Sequence, residues 1–356
     1  MTHEEIFKYN ETAVHKISER FVFACVGLAH SHINGMTNSL ISVGAELKWV
    51  FDSNKAAVDE FVKKYPQVKV ANSLDEVLND SDVQLIVSAD VPSKRAELAI
   101  RSMRSGHNFF VDKAPALTLE ECSAIQEVQK ETGMKYFVYY SELIENDATV
   151  FAKQLVDRGI IGKVYHLDIF APHRLNPETR PDWFWKRKDT GGIITDIGSH
   201  QIEQFLEFAG TTDTKIVSAR VNNYFHPQYP EFDDFGDVML EAANGVTGYL
   251  RVDWMSPAGI KTFGDLRMTI LGEKGFIELR KNCDLGHSSS TNNVTVALDE
   301  GVFMESVKGK VYKPYFRCLI NDCINKTDTA MSTDIVYAAM KLTIEAQSIA
   351  LKKTGH

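Results

Sequence analysis

Several features are scarce in this chain of 356 residues. Its five cysteines are an odd number without a paired C-x-x-C spacing, so the sequence indicates neither a disulfide framework nor a cysteine zinc site. No apolar run approaches the length of a membrane span, and residues 1–20 lack the apolar core of a signal peptide. We therefore expect a protein of the cytoplasm.

Positive charge is also scarce. The formal net charge is −9 and no block of lysine and arginine interrupts it, which argues against nucleic acid or an anionic membrane as the main partner. With 44% apolar and 24% charged residues the composition is that of a globular protein, and its length exceeds what one hydrophobic core usually organises. The sequence predicts two domains that act on a small molecule.

Strand and helix patterns alternate along the first third of the chain. Each predicted strand is a short apolar run, and each predicted helix is an amphipathic segment between two such runs. The predicted strands cover 21–26, 47–51, 68–70, 83–88 and 108–111, and the predicted helices 56–65, 74–78 and 93–105. This alternation favours an α/β domain of Rossmann type, with a doubly wound parallel sheet.

The turn after the first strand reads Gly27-Leu28-Ala29-His30-Ser31-His32. A dinucleotide fingerprint has glycines at the places of Gly27, Ala29 and His32, so only its first glycine is present. Asp52 closes the second strand, where a carboxylate accepts hydrogen bonds from the adenosine ribose and disfavours a 2′-phosphate. The pattern predicts NAD rather than NADP. The alternatives are a surface turn for the loop and a helix N-cap for Asp52.

His30 and His32 also form an H-x-H pair, which can ligate a metal ion. No acidic residue or cysteine with metal-site spacing accompanies the pair. We therefore predict no metal.

Asp196 and His200 follow the paired glycines Gly191 and Gly192. If the segment is helical, a spacing of four places both side chains on one face, behind a turn that another molecule can approach closely. Gly198 would leave that face uncrowded. This arrangement is typical of a proton-transfer site, and the alternative is a helix start with a surface aspartate and a buried histidine.

Two further segments are candidates for the site. Lys113 follows the strand that ends at Val111, in the crevice where such folds bind ligands. The segment 172–187 combines aromatic, cationic and amide side chains, which suit a sugar ring and its hydroxyl rim. The alternatives are a solvated loop lysine and an aromatic lid on the core. We expect substrate contacts from Tyr140, His173, Arg174 and Trp183.

The pattern changes after residue 142. A helix over 148–158 precedes strands over 164–171, 216–225, 236–241, 245–254, 266–271 and 275–279, and two helices over 315–325 and 334–352 close the chain. Meandering strands of this kind predict an α+β domain with a largely antiparallel open sheet. We expect a cofactor domain over 1–142 and a substrate and oligomerisation domain over 143–356.

Together these motifs resemble the glucose–fructose oxidoreductase, inositol dehydrogenase and MocA (Gfo/Idh/MocA) family. Its members carry Glu-Lys-Pro after the fifth strand, matched by Asp112-Lys113-Ala114, and a glycine-rich turn with Asp-x-Gly-x-His, matched by the segment from Gly191 to His200. Ala114 replaces the proline, and Arg95 stands where many members have a histidine. The resemblance implies that Lys113, Asp196 and His200 are catalytic. It also implies that NAD is bound by Gly27, Ala29, His30, His32, Asp52, Ala89, Asp112 and Lys113.

The resemblance implies an NAD-dependent oxidoreductase that converts a ring hydroxyl of a sugar or glycoside, plausibly at C3, into a ketone. His200 would remove the hydroxyl proton, Lys113 would stabilise the alkoxide, and Asp196 would bind a neighbouring hydroxyl or orient the imidazole. The alternatives are a cyclitol dehydrogenase and a catalytically silent NAD- or sugar-binding regulator. A homo-oligomer through the open sheet is also implied.

Overall fold

The structure is a computed structural model that describes residues 1–9, 16–286 and 291–354. The chain divides into two compact units. The parallel-sheet unit comprises Ala13–Tyr139 and Pro314–Met340, and the mixed-sheet unit comprises Met1–Thr12, Tyr140–Lys313 and Lys341–His356. The linear division at residue 142 does not include the return of Pro314–Met340 to the first unit.

The parallel-sheet unit contains six strands that all run in one direction, in the order β3-β2-β1-β4-β5-β6. The strands are β1 Val22–Val26, β2 Glu46–Phe51, β3 Lys69–Val70, β4 Leu85–Ser88, β5 Asn108–Asp112 and β6 Tyr136–Tyr139. Every residue of β1 and β5 is buried, which explains their continuous apolar runs. The predicted doubly wound sheet is confirmed, and its order is that of dinucleotide-binding folds.

The helices between these strands follow the predicted alternation. After the short N-terminal helix α1 His3–Ile6, which belongs to the other unit, they are α2 His32–Ser42, α3 Lys55–Lys64, α4 Leu74–Leu78, α5 Pro92–Arg104 and α6 Leu119–Thr132. Helix α3 begins after Asn54, whose side chain accepts hydrogen bonds from Ala56 and Ala57. Asn54, and not Asp52, is therefore its N-cap. Strand β6 and helix α6 were not predicted from the sequence.

The mixed-sheet unit contains an eight-stranded sheet in the order β14-β13-β12-β11-β7-β10-β9-β8. Its strands are β7 Val164–Pro172, β8 Thr214–Asn222, β9 Phe235–Ala242, β10 Thr247–Asp253, β11 Arg267–Gly272, β12 Gly275–Arg280, β13 Asn293–Leu298 and β14 Gly301–Ser306. All neighbours pair antiparallel except β7 and β10, which run parallel. The prediction of a largely antiparallel sheet is confirmed.

This unit also contains α7 Ser141–Ile144, α8 Asp147–Asp157, α9 Arg187–Thr190 and α10 Ser199–Ala209, of which α8 and α10 pack against the sheet. The chain closes with α11 Tyr315–Asn325, which belongs to the parallel-sheet unit, and with α12 Thr333–Thr354, whose residues from Lys341 onward belong to the mixed-sheet unit. Helix α10 approaches β10 closely at Gly248, where an added Cβ would lie 2.5 Å from the Phe205 ring. Because His200 lies on α10, this close contact fixes its height above the sheet. Among the described residues, no helix is long and apolar enough to cross a membrane.

Candidate active site

The turn after β1 lies between the ends of the two neighbouring strands, β2 and β4. Gly27 has φ +79°, and an added Cβ would lie 2.5 Å from that of Asp90, so only glycine fits there. The Asp52 carboxylate at the end of β2 accepts a hydrogen bond from the backbone N–H of Leu28 at 2.6 Å. A second carboxylate oxygen accepts from Asn54 at 2.6 Å. Asp52 therefore holds the turn and the start of α3 together.

A cavity of about 310 Å³ opens beside this turn. Its lining includes Gly27, Asp52, Asp90, Lys94 and Arg101. A glycine turn with a carboxylate at the end of β2 suits the adenosine ribose of a dinucleotide, since the carboxylate can accept hydrogen bonds from both ribose hydroxyls. Gly27 and the Asp52 carboxylate are thus suited to the adenosine ribose of NAD.

His32 stands where the fingerprint has its third glycine, which lets the helix pack closely on the sheet. The His32 side chain does not lie in that contact. It is 33% exposed, and its Nδ1 lies 2.9 Å from a carboxylate oxygen of Asp112. The close approach occurs instead at Gly35, where an added Cβ would lie 3.0 Å from the Tyr139 hydroxyl. A glycine three residues later thus meets the steric requirement, and His32 is free of it.

Asp112, at the end of β5, is the centre of a group of hydrogen-bonded residues that we call the strand-end cluster. Its other members are His30, His32, Arg95 and Lys113. One oxygen of Asp112 lies 3.0 Å from His30 Nδ1 and 3.2 Å from Arg95, and the other lies 2.9 Å from His32 Nδ1 and accepts the Lys113 N–H at 2.9 Å. Burial favours the neutral carboxyl, but the charges of His32, Arg95 and His30 outweigh it and hold the pKa of Asp112 well below its usual value. Burial also lowers the pKa of His30 to about 4, with a contribution from His32.

These contacts revise the argument on metals. His30, His32 and Asp112 place possible ligand atoms within 4.8 Å of one another, so the acidic partner that the sequence did not reveal comes from β5. All four positions around the carboxylate, however, are occupied by donors from this chain, and one of them is the cationic Arg95. The group is complete as a hydrogen-bonded cluster that orients two imidazoles.

Arg95 holds the turn that carries Lys113. Its side chain is buried, its Nε donates to the carbonyl of Asp90, and its guanidinium donates to the carbonyls of Asp112, Lys113 and Ala114. The peptide bond between Lys113 and Ala114 is cis. Three carbonyls on one planar donor fix the backbone from which the Lys113 side chain starts.

The segment with Asp196 and His200 lies in the mixed-sheet unit. Ile194–Gly198 forms a π-helix, and α10 continues from Ser199. The prediction of one regular α-helix was therefore incomplete, because a wider turn precedes His200. Short π segments within helices are frequent at functional sites. Gly198 is explained by Ile194, which lies 3.2 Å from where its Cβ would be, and not by the Asp196 and His200 face.

The paired glycines have a structural partner within the chain. Gly192 has φ +96°, and a Cβ there would overlap the Gln347 amide and the Asp233 carboxylate. Gln347 accepts the Ile194 N–H at 3.0 Å and donates to Asp233 at 2.9 Å. The space that the sequence suggested for another molecule is thus taken by α12, which anchors the start of the π-helix.

His200 is buried and its ring meets that of Tyr140 edge to face, with centroids 6.0 Å apart. Asp196 is only partly exposed, and it lines a small cavity with the aromatic residues Phe184, Phe232 and Trp254. Arg180 lies over the Phe184 and Trp254 rings at 4.5 and 4.8 Å. Burial lowers the pKa of Arg180, and the charge of Asp196 opposes this.

The predicted substrate residues fall in different places. Tyr140 lies beside His200, and Arg174 lines an open cavity of about 500 Å³ together with Phe225, His226 and Trp254. The His173 ring packs between Trp254 and Phe263, with centroids 5.6 and 5.2 Å away. Trp183 packs against Phe184 and lines neither of these cavities.

Several residues of this region were missed from the sequence. Arg180 and Trp185 stand in the aromatic segment that was singled out, but nothing in the sequence separates them from their neighbours. Glu142 and Lys281, which lie behind α10, are 8% and 1% exposed. Lys281 follows Arg280 and precedes Asn282, so the sequence does not distinguish it from a solvated lysine.

A Rossmann sheet with a cavity beside its first glycine turn, and a second unit in which the helix of His200 packs on a mixed sheet, are features of a two-unit NAD-binding oxidoreductase. Family models confirm this class. Residues 21–140 match the oxidoreductase family with the NAD-binding Rossmann fold, and residues 149–278 match the GFO/IDH/MocA C-terminal domain. The chain belongs to the GFO/IDH/MocA oxidoreductase family.

Relatives extend along most of the chain. The scyllo-inositol 2-dehydrogenase (NAD(+)) of Bacillus subtilis strain 168 is 28% identical over 257 residues, which are 71% of this chain and 72% of the relative. The D-xylose dehydrogenase of Paenarthrobacter nicotinovorans is 29% identical over 153 residues, 41% of this chain and 39% of the relative. A crystal structure described as an oxidoreductase from Erwinia carotovora atroseptica SCRI1043 has TM-score 0.91 and 43% identity, covering 93% of this chain and 99% of that one.

Replacement of Arg95 tests its hold on the strand-end cluster. We expect Arg95→Met to lower the free energy of unfolding by about 3–5 kcal/mol, because it leaves the buried Asp112 carboxylate without its permanent cation. Urea denaturation followed by tryptophan fluorescence measures this. The control Arg101→Met removes an exposed ion pair with Asp75 and should change stability by less than about 1 kcal/mol. Equal effects of the two changes would refute the clamp.

Proposed function

We propose that this protein is an NAD-dependent dehydrogenase that oxidises a ring secondary hydroxyl of a sugar or cyclitol to a ketone. The observation that carries the proposal is the placement of His200 and Asp196 on one short π-helical and α-helical segment, anchored at its start by Gln347. The inositol and xylose dehydrogenases among the relatives support a polyol substrate. Oxidation of a glycoside at C3 is the narrower form of this proposal.

In the proposed reaction, His200 accepts the proton of the substrate hydroxyl, for which an imidazole with an ordinary pKa near 6.5 is suited. NAD, when bound, accepts the hydride. Asp196 binds a neighbouring hydroxyl, since it is partly exposed and stands four residues before His200 on the same helical segment. Lys113 joins the proposal through the family resemblance and stabilises negative charge on the substrate oxygen. Its backbone is held for this by Arg95.

We assign NAD binding to the parallel-sheet unit, with Gly27, Ala29, Asp52, Ala89 and Asp112 as contacts. His30 and His32 belong to this set as imidazoles oriented by one carboxylate. We assign substrate binding to the mixed-sheet unit. Tyr140 and Arg174 are the substrate contacts best supported by position, because one lies beside His200 and the other lines the larger cavity.

A substrate panel tests the reaction. Purified protein is incubated with NAD and with inositols, pyranoses and glycosides, and products two hydrogens lighter are sought by mass spectrometry. We expect such a product from one class, and we expect His200→Gln to slow its formation about 10²–10⁴-fold while NAD still binds. The control His166→Gln changes a partly exposed histidine on β7 and should retain full turnover. Full turnover in His200→Gln would refute the role of His200. NAD binding without any product would favour the regulator alternative.

Asp52 tests the preference for NAD. We expect Asp52→Asn to weaken NAD binding about 10-fold or more and to narrow the difference between NAD and NADP, because it removes the negative charge that repels a 2′-phosphate. Isothermal titration with both nucleotides measures this. Asp82→Asn, at a carboxylate that is 54% exposed, should leave both affinities unchanged. An unchanged ratio in Asp52→Asn would contradict the assignment.

The proposed homo-oligomer rests on the open face of the mixed sheet. Leu271, Phe276, Ala297 and Val302 are cross-strand neighbours from β11 to β14, and three of them are 46%, 38% and 73% exposed, Ala297 being half-buried. A row of exposed apolar side chains on a sheet face marks an interaction surface. We propose that a second copy of the chain covers it.

Light scattering after size exclusion tests this face. We expect the wild-type protein to be larger than one chain of 40.0 kDa and the double variant Phe276→Glu, Val302→Glu to be a monomer. Val70→Glu, at an exposed apolar residue of edge strand β3, should leave the mass unchanged. A monomeric wild-type protein would refute the proposal.

A further inference from the structure

A buried polar cluster lies behind the helix that carries His200. Its members are Glu142 on α7, Lys281 after β12, and Gln201, Glu203 and Gln204 on α10, and each is less than 9% exposed. Charged and amide side chains are rarely buried this deeply, because burial costs free energy unless hydrogen bonds or ion pairs offset it. The cluster is not part of the proposed chemistry, and all of it lies within the mixed-sheet unit.

The Glu142 carboxylate is the acceptor at the centre of this cluster. One of its oxygens accepts from the Gln201 amide at 2.7 Å and from the Gln204 amide at 3.5 Å, and it lies 3.7 Å from the Lys281 ammonium. The Lys281 ammonium also donates a hydrogen bond to the side-chain amide oxygen of Gln204. The carboxylate is therefore held by one cation and two amides on the side chains around it.

Hydrogen bonds and ring contacts connect this cluster to His200. The Gln204 amide that reaches Glu142 also donates to the His200 carbonyl at 2.8 Å, and Gln201 is the next residue along α10. Tyr140, whose ring meets that of His200, is two residues before Glu142. Helix α7 is thus joined to α10 at the turn that carries His200.

The charge states of the two buried carboxyls differ. Burial favours the neutral form of Glu142, but the charges of His200, Lys281 and His173 outweigh it and lower its pKa. Burial raises the pKa of Glu203 well above its usual value, with contributions from Glu207 and Glu142, which favours the neutral form of Glu203. An interaction between two ionisable groups acts on both, so ionised Glu142 favours the protonated form of His200.

We propose that Glu142, held by Lys281, Gln201 and Gln204, is a positioning residue that stabilises the imidazolium form of His200. This inference rests on the proposed role of His200 as the proton acceptor. An imidazole that takes a proton becomes a cation in a buried place, and a fixed carboxylate offsets the cost of that charge. Lys281 keeps the carboxylate ionised when the imidazole is neutral.

Other titratable groups around α10 must be considered in a test. They are Tyr140 on the α7 side, His173 at the end of β7, Asp253 on β10 facing His173, Asp196 one turn earlier, and Glu203 on α10 itself. Glu203 is the matched control. It is buried like Glu142 and lies on the helix of His200, but its burial favours the neutral form, which a Glu203→Gln change mimics.

The test is an NMR titration of His200 in the full chain without nucleotide or substrate, with histidines labelled at Cε1 and His200 assigned through His200→Gln. The quantity measured is the imidazole pKa of His200. Glu142→Gln should lower it by about one pH unit or more, whereas Glu203→Gln should leave it in place. If the single change prevents folding by isolating Lys281, the variant Glu142→Gln with Lys281→Met removes both charges and should also titrate below the wild type.

No decrease of the imidazole pKa in the Glu142 variants would overturn the proposal. The outcomes separate it from the proposed function. If the pKa falls but the pH profile of kcat/KM does not move, Glu142 supports His200 but His200 is not the proton acceptor. If His200→Gln loses turnover while the pKa of His200 is the same in wild type and Glu142→Gln, the proton acceptor stands and the role of Glu142 falls.

Discussion

The hydrogen-bonded carboxylate of Asp112 is the constraint on which the parallel-sheet unit depends. It receives two imidazoles, a guanidinium and a backbone N–H, and those four groups come from the turn after β1, from α5 and from the lysine that follows β5. A carboxylate with every lone pair used is rigid, because moving any one donor leaves a buried acceptor unsatisfied. The direction of Lys113 and the orientation of His30 and His32 therefore depend on one another.

This cluster also changes how the altered fingerprint of the turn is understood. Glycines in such a turn allow backbone N–H groups to approach a pyrophosphate. Here the first glycine remains, Gly35 provides the close contact with the sheet, and two imidazoles occupy the mouth of the turn. Since burial lowers the pKa of His30, its ring is neutral at pH 7 and its second nitrogen can accept a hydrogen bond. That property suits the hydroxyl and amide groups of NAD better than its phosphates.

The sequence predicted elements better than contacts. Apolar runs gave β1, β4 and β5 and the helices between them, because buried parallel strands have no polar residues to obscure the pattern. The hairpin of β13 and β14 was missed, since its exposed residues Val302 and Met304 are apolar and hide the alternation. The return of Pro314–Met340 to the first unit leaves no local signal at all, because chain direction between distant segments is a tertiary property. For the candidate site, motif spacing identified Asp196 and His200 but not the π turn between them, which depends on the anchor from Gln347.

Arg95 and Lys281 show why supporting residues were the hardest to predict. Each is a long cation that is 1% exposed and bonded to groups more than fifteen residues away in sequence. From the sequence, an arginine or lysine beside another cation, as in Lys94-Arg95 and Arg280-Lys281, is most simply a solvated charge, and only the structure shows that Arg95 and Lys281 are buried. Both cations face a buried carboxylate, Arg95 facing Asp112 and Lys281 facing Glu142. In each unit a buried cation favours the ionised form of a carboxylate, and Asp112 uses that charge to hold His30 and His32.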